Sequence, residues 1–313
     1  MRILFVSSGN IARSQGVLVK NAKIQGDSLA RMGCDINFYF IVGRGIWGYL
    51  KNVPRMRKFI KNGGYDIIHA HYSFTGILAS FTSDLPMIVS LMGSDLHISR
   101  LMTFVTSLFC KYRWRKVIVK TEQMKEIVNF NNVSVIPNGV DLDIFKPVAR
   151  EEALEKINND GEKKIILFVS DVNRKEKNFK LAQDAVCMLK RDDVVLLPVE
   201  NVDHSQIKWY LNACELLLLT SLREGSVNII KEAMACNVKV VSTKVGDVEK
   251  NMKDVPGYYL SGFETSSVAE NINKALNYSG PVEGRKKIIE LGLDSSTINN
   301  RIFQLYKDIY KMK

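Results

Sequence analysis

Two glutamates, Glu224 and Glu232, stand eight positions apart in TSLREGSVNIIKEAMACNVKVVST, residues 220–243. Paired carboxylates that act on one glycosidic bond sit about 5–9.5 Å apart. Eight residues of helix rise roughly 12 Å, too far for that work. The spacing suits two separate contacts along an elongated ligand. It equally allows a plainer arrangement, with Glu224 favouring a helix N-terminus and Glu232 solvated on the helix. Between them, Gly225 lets backbone come close to a ligand. A helix starting at Ser226–Asn228 would offer unpaired N–H groups and the positive end of its dipole, an anion site. Val227, Ile230, Ala233 and Met234 share the face that should pack on a sheet.

The elements that must position this segment follow from the apolar pattern. In the first half, Ile3–Ser7, Ile36–Ile41, Ile67–Ala70, Met87–Ser90, Val117–Val119 and Val133–Ile136 read as strands, and Gly16–Met32 and Lys51–Lys61 as helices. The second half restarts the rhythm, with strands at Lys164–Ser170, Val194–Val199, Leu216–Thr220, Lys239–Ser242 and Gly257–Leu260. Its helices are expected at Asn178–Lys190, His204–Asn212, Val227–Ala235, Ser266–Tyr278 and Ser295–Lys311. Continuous apolar strands alternating with helices predict parallel sheets covered on both faces. The expected fold is α/β, with two doubly wound Rossmann-like domains facing a cleft. Pro137, Asn138-Gly139 and Pro147 form a turn-rich passage before an acidic stretch, which predicts a boundary near residue 150. The domains are therefore read as 1–150, 151–294 and a C-terminal helix at 295–313. Ligands of such sheets sit beyond the carboxyl ends of the strands.

Composition narrows the classes. The 313 residues are 46% hydrophobic and 25% charged, ordinary for a globular protein of two domains. Five dispersed cysteines without a CxxC pair read as reduced core residues of a cytosolic chain. The opening MRILFVSSGN is too short for a signal peptide, and no window of 18 uninterrupted apolar residues predicts a membrane span. Residues 1–150 carry 20 Lys and Arg against 9 Asp and Glu, whereas residues 151–313 carry 24 of each. The whole net charge of +11 thus belongs to the first half and points to an anionic partner or to plain solubility. LMTFVTSLFCKYRWRKVIVK (101–120) and GYLKNVPRMRKFIK (48–61) combine apolar residues with cations, as membrane-surface segments do. The alternative for Leu101–Cys110 is an ordinary core helix. No nucleic-acid module appears, and SSGNIARSQG is not the dinucleotide fingerprint G-x-G-x-x-G. His69 and His71 fall on one strand face; their spacing resembles a metal pair, but no carboxylate or cysteine cluster completes a site. A structural histidine is the simpler reading of each.

Several segments together resemble the retaining GT-B glycosyltransferases, the glycogen synthase-like and mannosyltransferase-like group (family 4 type). EGSVNIIKEAMACNVKVVST resembles the family's E-x7-E segment, and VGDVEK after it also fits. DIIHAHYSFTGILAS, SLMGSDLH, VIPNGVDLDIFKP and KKIILFVSDVNRKEKNF resemble further family segments in the expected order. The resemblance covers nearly the whole chain and is nearest to bacterial cell-surface polysaccharide transferases.

The resemblance implies that Glu232 holds the ribose of a nucleotide and Glu224 the hydroxyls of the donor sugar. Gly225, Ser226, Val227 and Asn228 would line the sugar and diphosphate, with Ser170 beside them. Lys177 matches the family lysine that meets the charge of the leaving diphosphate. The family's Gly-Arg is Ser170-Asp171 here, so Arg174 is the candidate to replace the missing arginine. The family histidine is Met92, whose role is not carried over; Gly9, His71 and Asp95 are assigned to the acceptor side. The implied reaction moves a sugar from a UDP- or GDP-linked donor to a saccharide or lipid-linked saccharide acceptor, with retention and no cofactor or metal. The C-terminal helix would cross back to the first domain, an acceptor-binding one, and the second would bind the nucleotide sugar. The expected location is the cytoplasm, peripheral on the inner face of the plasma membrane. Two alternatives stay open: a nucleotide-sugar epimerase of the same fold, and a non-catalytic nucleotide-sugar-binding subunit.

Overall fold

The computed structural model describes residues 1–9, 15–43, 45–93 and 100–311. It divides into two compact units, Met1–Pro137 with Ser296–Lys313, and Asn138–Ser295.

The first unit runs β1 (Arg2–Ser8), α1 (Gln15–Arg31), β2 (Asp35–Ile41), α2 (Gly45–Leu50), α3 (Asn52–Gly63), β3 (Ile67–His71), α4 (Ser73–Ser80), β4 (Met87–Ser90), α5 (Arg100–Tyr112), β5 (Lys116–Val119), α6 (Glu122–Val128) and β6 (Val133–Val135). Its six strands lie in the order β2-β1-β3-β4-β5-β6, all parallel. Only the step from β1 to β2 runs against the others. Right-handed crossovers therefore put its helix on the opposite face from the rest. Leu4, Val6, Ile68, Ala70, Val89 and Val117 share one core with Met56 and Ile60 of α3, Leu78 of α4 and Cys110 of α5. Ile3, Phe5, Ile67, Ile88 and Ile118 share the other core with Leu29 of α1. Burial on both faces explains why these strands read as continuous apolar runs and not as alternation.

The second unit runs α7 (Arg150–Lys156), β7 (Lys164–Val169), α8 (Phe179–Met188), β8 (Val194–Val199), α9 (Ile207–Ala213), β9 (Leu216–Leu219), α10 (Asn228–Ala235), β10 (Lys239–Thr243), α11 (Val248–Met252), β11 (Tyr258–Ser261), α12 (Thr265–Asn277) and α13 (Gly284–Glu290). Its five parallel strands lie in the order β11-β10-β9-β7-β8. Ile230, Ala233 and Met234 of α10 are fully buried against Leu217, Leu219 and Val240 on one face of this sheet. Val268 and Ile272 of α12 with Leu181 of α8 cover the other.

The division falls after Pro137, earlier than the turn chemistry near residue 150 suggests. Residues 138–149 already bond into the second unit. Val140 N–H donates to Leu293 O at 2.9 Å, Val148 N–H donates to Asn212 Oδ1 at 2.8 Å, and Phe145 is buried in the core there. The last helix, α14 (Ser295–Lys311), belongs to the first unit in all but its first residue. Ile298, Ile302, Tyr306 and Ile309, at helical spacing, sit in the core with Ile3 and Phe5. Burying four such side chains contributes roughly 1.5–3 kcal/mol each, which anchors the helix to that sheet.

Candidate active site

Three neighbouring strands of the second unit, β7, β9 and β10, end side by side, and the loops that leave them are tied together. Thr220 Oγ1 donates toward the carbonyls of Lys177 (3.1 Å) and Asn178 (2.9 Å), and Leu222 N–H donates to Glu176 O at 2.8 Å. These bonds hold the loop after β7 against the loop after β9. Thr243 Oγ1 donates to Ser221 O at 2.7 Å and Asp247 N–H to Gly225 O at 3.2 Å, which adds the loop after β10. Gly246 has φ +55°, and a Cβ there would lie 2.0 Å from Gly225 O. Only glycine permits this approach.

The first product of this assembly is an ion pair. Lys177 Nζ lies 2.5 Å from Glu224 Oε1, and Ser221 Oγ donates to the same oxygen at 2.8 Å. The two side chains are 16% and 19% exposed, sheltered but reachable. Lys177 closes a short 3-10 turn, Lys175–Lys177, and Asn178 follows in the left-handed region at φ 52°. Arg174 enters the same turn, but its guanidinium is bound to Glu176 Oε1 through Nε (2.8 Å) and Nη2 (2.6 Å). A backbone hydrogen bond, then Arg174, holds the Glu176 carboxyl below its ordinary range. Arg174 thus shares the loop with Lys177 and pairs with a different carboxylate. Ser170 closes the strand side of this loop, directly after β7.

The second product is buried under the start of α10. Lys231 is 1% exposed and its ammonium lies 3.0 Å from Asp247 Oδ2. It also donates to Asn138 O at 3.0 Å and to Ser226 Oγ. Asp247 in turn accepts from Ser226 Oγ (2.8 Å) and Val227 N–H (2.9 Å). Burial pulls the Lys231 pKa down, with the Asp247 charge opposing. Burial pushes Asp247 up, but the Lys231 charge and the Val227 N–H outweigh it, and its carboxyl lies below the usual range. An internal carboxylate therefore already holds one of the amides at the Ser226–Asn228 helix start. Asn228 Oδ1 accepts from Asn138 Nδ2 at 3.0 Å.

Glu232 is 6% exposed, so it is not the solvated helix residue that spacing alone allowed. Its Oε1 meets His204 Nε2 at 2.8 Å, and the His204 ring packs on Phe145 at 5.3 Å between centroids. The fold thus gives Glu224 and Glu232 separate partners, one lysine and one histidine, on the two sides of the α10 start.

Lys231, Asp247, Ser221 and His204 were not singled out as site residues by the sequence. A lysine inside an apolar helix face was the available signal for Lys231. Nothing local to His204 marks it, because its partner is 28 residues away.

In the first unit, Gly9 N–H donates to Ile41 O at 2.7 Å just after β1. His69 and His71 stack at 4.4 Å between centroids and are buried. His69 bonds Tyr306 Oη through Nδ1 (2.5 Å) and Ser90 Oγ through Nε2 (2.9 Å), a structural role. His71 Nε2 is buried without a hydrogen-bond partner among the described residues. No group of three or more His, Cys, Asp or Glu able to hold a metal occurs among the described residues. Asp95 lies outside the described residues.

Two family models match the chain. Glycosyltransferase Family 4 covers residues 29–144 and Glycosyl transferases group 1 covers residues 191–278. An uncharacterized glycosyltransferase of Methanocaldococcus jannaschii is 27% identical over 81% of this chain and 76% of its own length. The TuaC protein of Bacillus subtilis, described as a putative teichuronic acid biosynthesis glycosyltransferase, is 24% identical over 58% of this chain. The chain spans 54% of TuaC and 62% or 58% of the length of other curated relatives that it matches. Anabaena HepE, solved in complex with UDP-glucose, superposes with a TM-score of 0.74 at 18% identity over 98% of this chain and 100% of that one. Two parallel α/β units, the loops tied at the edge of the second sheet and both family models agree: the chain belongs to the GT-B glycosyltransferases of the family 4 type.

Proposed function

We propose that the chain transfers a sugar, with retention at the anomeric carbon, from a nucleotide-sugar donor to a saccharide acceptor in surface polysaccharide assembly. The observation that carries this reading is the Lys177–Glu224 pair at the mouth of a second-unit sheet, next to the Gly225–Val227 turn. One group offers a positive charge to a leaving diphosphate, and the other an acceptor for sugar hydroxyls. Glu232 takes the ribose, and Arg174 adds a second cation when the donor binds. The Gly225 and Ser226 amides face the diphosphate, with Val227, Asn228 and Ser170 lining that pocket. Preplaced cations and amides supply the charge neutralisation, so a divalent metal is not required.

No carboxylate of the site is assigned as a covalent nucleophile. Transfer proceeds by front-face attack: the acceptor oxygen bonds to the anomeric carbon as the bond to the diphosphate oxygen breaks. The departing phosphate takes the acceptor proton. Gly9, His71 and Asp95 belong to the acceptor side. UDP-glucose in the HepE complex supports a UDP-linked hexose or N-acetylhexosamine as donor, with a GDP-linked sugar as the alternative. The TuaC likeness supports a polysaccharide product, and the cationic first half supports a lipid-linked acceptor on an anionic cytoplasmic membrane face. No helix among the described residues is long and apolar enough to cross a membrane.

The test is a thermal-shift screen of UDP- and GDP-sugars. A donor that binds only the folded chain raises its melting temperature. The hit is then incubated with lipid-linked saccharides in EDTA, and the product's anomeric configuration is read by NMR. Donor interconversion without acceptor would replace transfer by epimerisation, and an inverted product would remove the mechanism.

A further inference from the structure

Helix α5 wears its apolar residues outward. Thr106 and Cys110 are buried against the sheet, while Leu101, Phe104, Leu108 and Tyr112 are 69, 61, 41 and 72% exposed. Positions 101, 104, 108 and 112 recur at three- and four-residue steps, so they form one stripe along the helix. A surface helix of a globular protein normally does the reverse. Of the two readings of Leu101–Cys110, the ordinary core helix fits only in part: Phe109 and Cys110 pack on the core, while Leu101, Phe104 and Leu108 are outside.

This stripe has company. The helices α3, α4 and α5 cover the same face of the first sheet, where their buried residues share one core. Tyr49 of α2 packs against that core too, and α2 buries no residue of its own. Ile46 and Trp47 of α2 are 74% and 79% exposed. The surface is physically continuous between α3 and α5. Arg57 of α3 donates to Phe81 O at 2.7 Å, and the Phe81 ring stands edge-on to Phe109 of α5 at 5.9 Å. Along α3, Arg55, Arg57, Lys58 and Lys61 are exposed. Segments 45–64 and 100–120 contain no Asp or Glu at all.

We propose that the outer face of α5, together with α2 and the cations of α3, docks on the surface of a bilayer that contains anionic lipid. Exposed Leu, Phe and Trp would enter the headgroup boundary, and Lys and Arg would meet lipid phosphates. A second copy of the chain is a poorer occupant, because it would bring two acid-free cationic faces together. A nucleic acid would use the cations but leave the Leu101–Phe104–Leu108 stripe in water. The docking face sharpens the lipid-linked acceptor of the proposed function, yet its test reads binding alone.

The test is sedimentation of the full chain with phosphatidylcholine vesicles, with and without phosphatidylglycerol, at low and high salt. Wild type pellets with the anionic vesicles and not with the neutral ones. F104S/L108S weakens partition by roughly tenfold, from lost apolar burial. R55E/K58E weakens it by roughly tenfold or more. All four side chains are exposed, so melting temperatures and any donor-induced shift stay as in wild type. Absence of wild-type binding at low salt overturns the proposal. So does F104S/L108S binding as wild type, which would leave charge alone at work. A dimer that F104S/L108S dissolves, without vesicle binding, assigns the face to a second copy and also overturns it. Vesicle binding with no donor shift would instead remove the transferase reading and leave the docking face standing.

Discussion

Lys177 Nζ and Glu224 Oε1 meet at 2.5 Å across 47 residues of chain, and Ser221 Oγ holds the same carboxylate oxygen. Each charge is the other's partner, so under the proposed assignment a donor would divide them, sugar to Glu224 and diphosphate to Lys177. Glu224→Ala should therefore lower transfer by about a hundredfold to a thousandfold while the melting temperature changes little. Lys177→Ala should cost a similar factor. The double variant should be scarcely slower than either single one, since the two act as a unit. Steady-state rates with the screened donor decide this. Wild-type-like turnover of Glu224→Ala would remove the assignment.

Glu232 is held by His204 through one oxygen, Oε1. If its other oxygen receives the ribose, Glu232→Ala should weaken binding of the free nucleoside diphosphate by about tenfold to a hundredfold, the range of a charged hydrogen bond. His204→Ala should weaken it less, because only the orientation of the carboxylate is lost. Isothermal titration with the diphosphate alone checks both. Equal affinity in Glu232→Ala and wild type would move the ribose elsewhere.

The buried Lys231–Asp247 pair ties the α10 start to the loop after β10. Removing one member leaves a charge without its partner in a dry site. Lys231→Met should cost about 3–5 kcal/mol of stability, and Lys231→Met/Asp247→Asn less than the sum of the singles. Denaturant melts measure this. An additive pair, or a Lys231→Met change below about 1 kcal/mol, would show that the pair does not carry the loop.

How legible was this arrangement? The strands were legible because both sheets are parallel and doubly covered, so each core strand is written as an apolar run such as Ile165–Phe168. Glu224, Glu232 and Lys177 are singled out by the family segments they sit in; their roles remain the proposal, and what the fold adds is a specific partner for each. The pairings themselves were not legible. Lys177 with Glu224, and His204 with Glu232, depend on which strands are neighbours, and β7 pairs with β9 while β8 lies outside them. Lys231 interrupts an apolar face, and nothing local explains it because its counter-charge lies 16 residues on, in a different loop. The inward and outward faces of α5 stay open in the sequence for a related reason. Its period is that of any amphipathic helix, and only the placement of small Thr106 and Cys110 toward the sheet tells inside from outside.

The stacked His69 and His71 make the first unit sensitive to acid. Burial pushes the His71 pKa down to about 3 and holds His69 well below its ordinary value; nearby cationic groups add to both shifts. Both rings stay neutral in the fold at pH values where the unfolded chain takes up protons, below about 6.5. The unfolded state then binds more protons than the folded one, so stability rises with pH in this window and falls as the solution is acidified from about 6.5 toward 3. His71 should cost roughly 2 kcal/mol on going from pH 6.5 to pH 5, and His69 shifts stability in the same direction. Urea melts at pH 7 and pH 5 measure the loss. His71→Gln, which cannot take up a proton, should be less stable than wild type at pH 7 and should lose less on acidification. Tyr306→Phe removes the phenol that bonds His69 Nδ1 and should lower stability at both pH values without flattening the slope. An unchanged acid slope in His71→Gln would show that carboxylates elsewhere, and not this ring, set the acid sensitivity.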